Sequence, residues 1–471
     1  MYSEKLSKIL KSKKIEIGDS VLVKKSGSNY TGILMPRATE SNILVIKLEN
    51  GYNVGIDSSG AEISLVQKGE NLFSGGAEHK TQSSKYETRD RQNDASFCGP
   101  WNEHFVPSDP KRETKHHRGE VAVLGCGGTI SSKVEYKTGA VYPVTTPEEL
   151  VSMFPQLSDI SSFHVRKLFS IFSEDMSHEH WKMIAKEVAS EINAGAKGVV
   201  LMHGTDTLHY TSAVLSFMLQ NLPVPVILVG AQRSSDRPSS DNEFNLLNSI
   251  YVARHSDISE VAVCMHSSTD DNVCHVHKGT RVRKMHTSRR DAFKSINSVP
   301  LAAVDYRKKL FEKFSEYTKR DPNRKLVLDT KLNDNVAMVY VHPGIKPKFI
   351  DSLSSYDGVV LLATGLGHVP TNPFNDKHAH SIFKNLQELI ASGVSVVAAP
   401  ETIYGRLDLN VYSTGRMLDE IGVIGNGADW TPECAYAKLC WVLGHEKKPV
   451  KVKELMMKNI CGEISLRSSL V

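Results

Sequence analysis

The chain has little net charge, few cysteines and no long apolar run. Its 57 lysines and arginines stand against 53 aspartates and glutamates, leaving +4 over 471 residues. That imbalance is too small to argue for nucleic acid or a membrane surface by charge alone. Seven cysteines, an odd number spread along the chain, do not read as a disulfide framework and fit a reducing compartment. No apolar stretch approaches the roughly 20 residues that span a bilayer. The opening MYSEKLSKILKSKK has neither a long apolar core nor a small-residue cleavage site, so it does not read as a secretory signal. A cytoplasmic protein is therefore expected. Walker spacing and G-x-G-x-x-G are also missing, which removes the usual sequence signs of a nucleotide site.

What is present falls into regions of different texture. Residues 1–66 carry short β-branched runs (DSVLVKK, YTGILMP, NILVIKLENGYNVGI, AEISLV) punctuated by Gly27 and by Asn50-Gly51, a strong hairpin signal. They predict a small β-barrel domain. Residues 67–119 are polar, without sustained periodicity, and read as a linker. From Glu120 apolar runs (VAVLG, GVVLMHG, VPVILVG, EVAVCMH) alternate with helical stretches such as HEHWKMIAKEVASEI. That alternation predicts a doubly wound α/β domain over 120–315. A charged connection, VDYRKKLFEKFSEYTKRDPNRK, leads to a second α/β domain over 325–471, with strands at NVAMVYV, GVVLLAT and VSVVAAP.

Two strand ends deliver unusual residues. LGCGGTISS brings Gly127 and Gly128, which permit a tight backbone path, and leaves the Thr129 hydroxyl at a strand end. VVLMHGTDT stops an apolar run at Gly204-Thr205-Asp206. In open parallel sheets ligands bind at such carboxyl ends, although Thr205-Asp206 also suits an ordinary helix N-cap. A carboxylate can orient a hydroxyl but is a weak base for it. A nearby lysine would complete a proton relay, and TRVRKMHTSRRDAF supplies Lys284. It is crowded in sequence by Arg281, Arg283, Arg289 and Arg290, and like charge favours the neutral amine.

GGTI, then HGTDT, then VGAQRSSDRPSSDNEFNLLNS, then RKMHTSRRDAF, in that order, resemble the L-asparaginase/glutaminase family. The resemblance runs from about Val121 to Trp441. It implies an asparaginase-like pair of doubly wound domains that cleaves a side-chain amide. By motif, Thr129 matches the nucleophile, Thr205 and Asp206 the family's Thr-Asp pair, and Lys284 the activating lysine. Ser173 and Glu174 in FSEDM match a substrate-binding loop, with Glu174 placed to hold an α-ammonium. Asp175 or Ser177 could equally cap the following helix. Gly128 and Gly204 would offer backbone N–H groups to the oxyanion. Tyr136 and Tyr142 compete as the family's flap tyrosine.

The barrel-like segment ahead of GGTI, together with TGLGHVP and IYGRLDLNVYSTGR, is similar to the glutaminase subunits of archaeal tRNA-dependent amidotransferases. That likeness implies glutamine hydrolysis with ammonia passed to the companion subunit of the amidotransferase, which converts Glu-tRNA(Gln) to Gln-tRNA(Gln) using ATP and Mg. This chain itself would bind no cofactor, and tRNA would be met mainly through the companion. A homodimer is expected inside a larger hetero-oligomer, with His368 and the loop IYGRLDLNVYSTGR able to complete a neighbour's site. The competing reading is a free cytosolic L-asparaginase with an accessory N-terminal domain. A third is a binding protein that has lost catalysis, for which Lys11, Lys13 and Lys14 would be the evidence. Cys264, His266, Cys274, His275 and His277 have the composition of a zinc site. However, the strands that carry them would have to be neighbours with matching faces, and packing is the expected role.

Overall fold

The computed structural model describes residues 2–25, 27–35, 42–48, 53–68, 120–127, 132–135, 140–143, 147–233 and 239–467. Most of the polar segment expected over 67–119 lies outside them, as do Gly128, Thr129 and Tyr136; of Tyr142 only the backbone is described. The chain divides into two compact units.

The first unit holds the N-terminal helix Glu4–Ser12 and the strands Ser20–Lys25, Ser28–Leu34, Ile43–Leu48, Asn53–Asp57 and Glu62–Gln67. They form a five-stranded antiparallel sheet with Asn53–Asp57 at one edge and Glu62–Gln67 at the other. Ile43–Leu48 and Asn53–Asp57 pair on either side of Asn50-Gly51, as that dipeptide predicts. Alternate residues, among them Val21, Val23, Leu44, Ile46 and Ile63, meet Leu6 and Leu10 of the helix in a small core. Ser3 caps the helix by accepting from the Leu6 amide at 3.3 Å. The expected barrel region is thus a small antiparallel sheet closed over by a helix.

In the second unit the apolar runs become the middle of an eight-stranded sheet. Five strands are parallel, in spatial order Phe163–Ile171, Val121–Gly127, Gly198–Met202, Val226–Val229, Val261–His266. The last four are buried along their whole length, which is why they read as continuous apolar runs rather than alternation. Cys274–Lys278, Ala302–Asp305 and Leu310–Lys313 continue the sheet antiparallel. The last two fall in what the sequence reads as the start of a charged connection. Asp305 hides the pattern: fully buried, it takes Arg307 at 2.9 Å and Lys308 at 3.5 Å, so a charged run can end a strand and turn back. Lys309 makes that turn in the left-handed region, φ 52°.

Val336–Tyr340, Gly358–Ala363 and Ser395–Pro400 form a three-stranded parallel sheet in the C-terminal domain. Its residues alternate between two cores: Val359, Leu361 and Ala363 face the domain's own helices, while Val360 and Leu362 belong to the large core shared with the first α/β domain. Helix Pro432–Leu443 packs between them against helix Leu208–Met218. Among the described residues no helix is long and apolar enough to cross a membrane.

Candidate active site

Strand order decides where a cleft forms. The chain enters the parallel sheet at Val121–Gly127, steps to one side for Phe163–Ile171, then returns to the other side for Gly198–Met202. Loops leaving the first and third of these strands diverge, and a crevice opens at such a switch point. Met202 is in register with Gly125, so the two strands end side by side, and GGTI and HGTDT both start there.

Glycines bring the backbones together. Gly127 has φ 94°, and a Cβ on it would run into the backbone of Ile171. A Cβ on Gly204 would stand 2.8 Å from the Ser173 Cβ, and one on Gly230 would stand 2.7 Å from the Thr205 Cγ2. Three strand ends therefore meet around the Thr-Asp pair. Thr207, not Thr205 or Asp206, occupies the N-cap position of helix Leu208–Met218. Its hydroxyl donates to the Ser173 carbonyl at 2.6 Å, tying that loop to this one. Thr205 and Asp206 are left free of capping duty.

Lys284 comes from a hairpin, Val282–Lys284 paired with Phe293–Ser295. Its Nζ donates to Thr205 Oγ1 at 2.9 Å and to Asp206 Oδ1 at 2.7 Å. The lysine side chain is 9% exposed and that of Asp206 66%, so the pair is covered at the amine and open at the carboxylate. The four arginines that crowd Lys284 in sequence are dispersed in space. Arg281 pairs with Asp429, Arg283 with Glu433, Arg289 with Asp291 and Arg290 with Asp271. The like-charge crowding inferred from the sequence is thus answered carboxylate by carboxylate.

Behind Thr205 runs a chain of fixed bonds. Trp181 Nε1 donates to Thr211 Oγ1 at 2.9 Å, and that hydroxyl lies 2.9 Å from His203 Nε2. His203 Nδ1 in turn lies 2.6 Å from the Gly204 carbonyl. Burial pushes His203 down to about 4 against the opposing pull of that carbonyl. The neutral ring donates from Nδ1 and accepts at Nε2, which orients the peptide leading into Thr205. Asp241 does similar work nearby: fully buried, it accepts from the backbone N–H of Gln232 at 3.0 Å and of Arg233 at 2.9 Å. Sequence reasoning passed over both. A signal existed for Asp241, in the SSDNE that precedes an apolar helical run.

Ser173 is buried under the Gly204 turn, and Glu174 is exposed beside it. Ser177 takes the cap of helix His178–Asn193, with His180 reaching back to it at 2.8 Å, so Glu174 is not needed there. In the C-terminal domain His368 stacks edge-on against Tyr412, ring centroids 5.3 Å apart, and the same loop exposes Ile403, Tyr404 and Val411. Val261–His266 and Cys274–Lys278 are neighbours, but in a register that puts Cys264, His266 and Cys274 on one face and His275 and His277 on the other. His266 is engaged by Asn245 at 2.6 Å and Asp271 at 2.8 Å. Among the described residues no three His, Cys, Asp or Glu side chains are gathered as a metal site.

Two α/β domains, with Lys284 hydrogen-bonded to Thr205 and Asp206 at the switch point, have the layout of an asparaginase-type amidohydrolase. Residues 120–315 match the model of the asparaginase N-terminal domain, and residues 335–456 that of the glutaminase/asparaginase C-terminal domain. A solved L-asparaginase from Thermococcus kodakarensis superposes with a TM-score of 0.64 at 30% identity, covering 73% of this chain and 99% of its own. Residues 15–66 match a further model, the GatD N-terminal domain. The chain is 40% identical to the GatD subunit of glutamyl-tRNA(Gln) amidotransferase from Methanobrevibacter smithii, over 100% of this chain and 98% of that protein. It is 43% identical to the protein of the same name from Pyrococcus horikoshii, over 98% of each. This chain belongs to the GatD family of glutamyl-tRNA(Gln) amidotransferase subunits.

Proposed function

We propose that this chain hydrolyses glutamine and hands the ammonia to a companion subunit that amidates glutamate on tRNA(Gln). The observation that carries the reading is the Lys284 bridge between Thr205 and Asp206, in a chain alike over its full length to proteins named for that reaction. In the proposed sequence the Thr129 Oγ attacks the side-chain carbonyl carbon of glutamine. The C–N bond breaks, the departing nitrogen gains a proton, and ammonia leaves an acyl ester on Thr129. Water then attacks the ester, giving glutamate and restoring the hydroxyl. Thr205, Lys284 and Asp206 carry the protons and hold the water. In this scheme backbone N–H groups of Gly128 and Gly204 would stabilise the developing oxyanion, and Ser173 and Glu174 would hold the amino-acid end of the substrate.

No cofactor is assigned to this chain. ATP and Mg belong to the companion, which also makes the principal contact with Glu-tRNA(Gln). The exposed aromatic loop at Tyr404 and Tyr412 supports a homodimer in which one copy closes the other's site. The cytoplasm, where charged tRNA is found, is the proposed location. Because the L-asparaginase likeness extends over 73% of the chain, asparagine is the competing substrate. The deciding experiment is ammonia release from each amide, by the chain alone and with the companion and charged tRNA. Glutamine activity that rises with the complex supports the proposal. Asparagine activity indifferent to both overturns it.

A further inference from the structure

Arg283 and Lys284 are consecutive in one strand, so their side chains leave on opposite faces. Lys284 goes to Thr205 and Asp206, whereas Arg283 Nε meets Glu433 Oε1 at 3.1 Å. Glu433 lies in the first turn of helix Pro432–Leu443, in the C-terminal domain, and is 6% exposed at the side chain. A second rung runs beside the first. Arg281, 3% exposed, binds both carboxylate oxygens of Asp429 at 3.2 Å and the Asp429 carbonyl at 3.0 Å. Asp429 and Glu433 flank Thr431, which caps the same helix by accepting from the Cys434 amide at 3.2 Å. Two arginines from the lysine-bearing hairpin are thus held at one helix start, by carboxylates four residues apart. His209, one turn beyond Asp206, lies 3.8 Å from the same Glu433 oxygen.

We propose that Glu433 is a positioning residue: through Arg283 the C-terminal domain sets where the Lys284 amine stands relative to Thr205 and Asp206. The hairpin bearing Lys284 is only three residues deep on each strand. Backbone bonds at both ends, Ile296 N–H to the Arg281 carbonyl at 2.8 Å and Met285 N–H to the Ala292 carbonyl at 2.6 Å, tie its two arms to each other but not to the C-terminal domain, and a displacement of about 1 Å in a catalytic group can cost about 100-fold in rate. The two rungs fasten the hairpin, as one body, to the start of helix Pro432–Leu443. This inference rests on the assignment of Lys284 to the hydrolytic site.

The test is steady-state glutamine hydrolysis by the full chain carrying Glu433→Gln, Arg283→Met, or both reversed as Arg283→Glu with Glu433→Arg, each beside Lys284→Met. The single variants are expected to lose about 10- to 100-fold in kcat with KM within about twofold, and the reversed pair to regain part of the loss. A purely structural role predicts lower thermal midpoints with wild-type kcat at temperatures where the variants are folded. A folded Glu433→Gln or Arg283→Met with wild-type kcat overturns the inference. If one of these fails to fold, the other reads the same contact from its opposite end. Should Lys284→Met keep full activity, the assignment of the site falls instead, which separates the two failures.

Discussion

The Lys284 Nζ lies 2.9 Å from the Thr205 Oγ1 although 79 residues separate them in the chain. The threonine follows the end of a parallel strand, and the lysine ends one arm of a hairpin. Neither position is special by itself. Joined, they give a hydroxyl, an amine and a carboxylate in one hydrogen-bonded line.

Breaking that line at either end is expected to cost activity without unfolding the chain. Lys284→Met and Asp206→Asn should each lower kcat by about 100-fold or more, the span usual for positioned acid–base groups. Asp206 is the more exposed, so its variant should keep the wild-type thermal midpoint. Ammonia release, with circular dichroism on the same samples, checks both.

Acid should weaken the fold through the buried histidines. Burial pushes His203 from the ordinary 6.5 down to about 4, and burial followed by the nearby Arg283 and Lys284 pushes His209 down to about 3. Between those values and 6.5 the unfolded chain binds protons that the native chain refuses. Stability therefore rises with pH in that window and is lost as pH falls from about 6.5 toward 4. His203 alone should contribute roughly 3 kcal/mol of that loss by pH 4. Denaturant midpoints at pH 7, 6 and 5 should fall in order, and His203→Gln should flatten the slope while lowering the midpoint at pH 7.

Gly204→Ala tests the closeness of the strand ends. The new methyl meets Ser173, so the Ser173-Glu174 loop must retreat. Overpacking of this kind costs about 1–3 kcal/mol. The KM for glutamine should rise more than the stability loss suggests, since the displaced loop carries Glu174. Thermal melts with kinetics at two temperatures separate the two effects.

Asp429→Asn should destabilise more than any of these. It leaves Arg281 buried against a neutral amide, and removing one partner of a buried pair costs about 3–5 kcal/mol. Urea titration reads the loss directly.

The fold was legible where burial is simple. Strands covered on both faces announce themselves as VVLM or VILV, and the helix His178–Asn193 shows its stripe. The strands Ala302–Asp305 and Leu310–Lys313 were missed because their charges are satisfied locally, by Arg307 and Lys308, and local pairing leaves no mark in composition. At the site, the abrupt stop of an apolar run at Gly204 pointed to a loop worth attention, and Lys284 was picked out as one cation among several. Its anchors could not be read. Arg281 and Asp429 are 148 residues apart, and no periodicity or spacing encodes a bond across two domains. Thr129 and Gly128 remain assigned by motif, since they lie outside the described residues.

The outermost strand, Leu310–Lys313, has a further meaning for assembly. Its exposed positions are Glu312 and Lys313, and it follows a left-handed turn at Lys309. A border built this way repels the addition of a ninth strand, because a newcomer would have to strip water from those charges. At this border, then, a second chain would dock by side chains and loops rather than by lending β-structure. Such contacts can part and re-form without either chain unravelling.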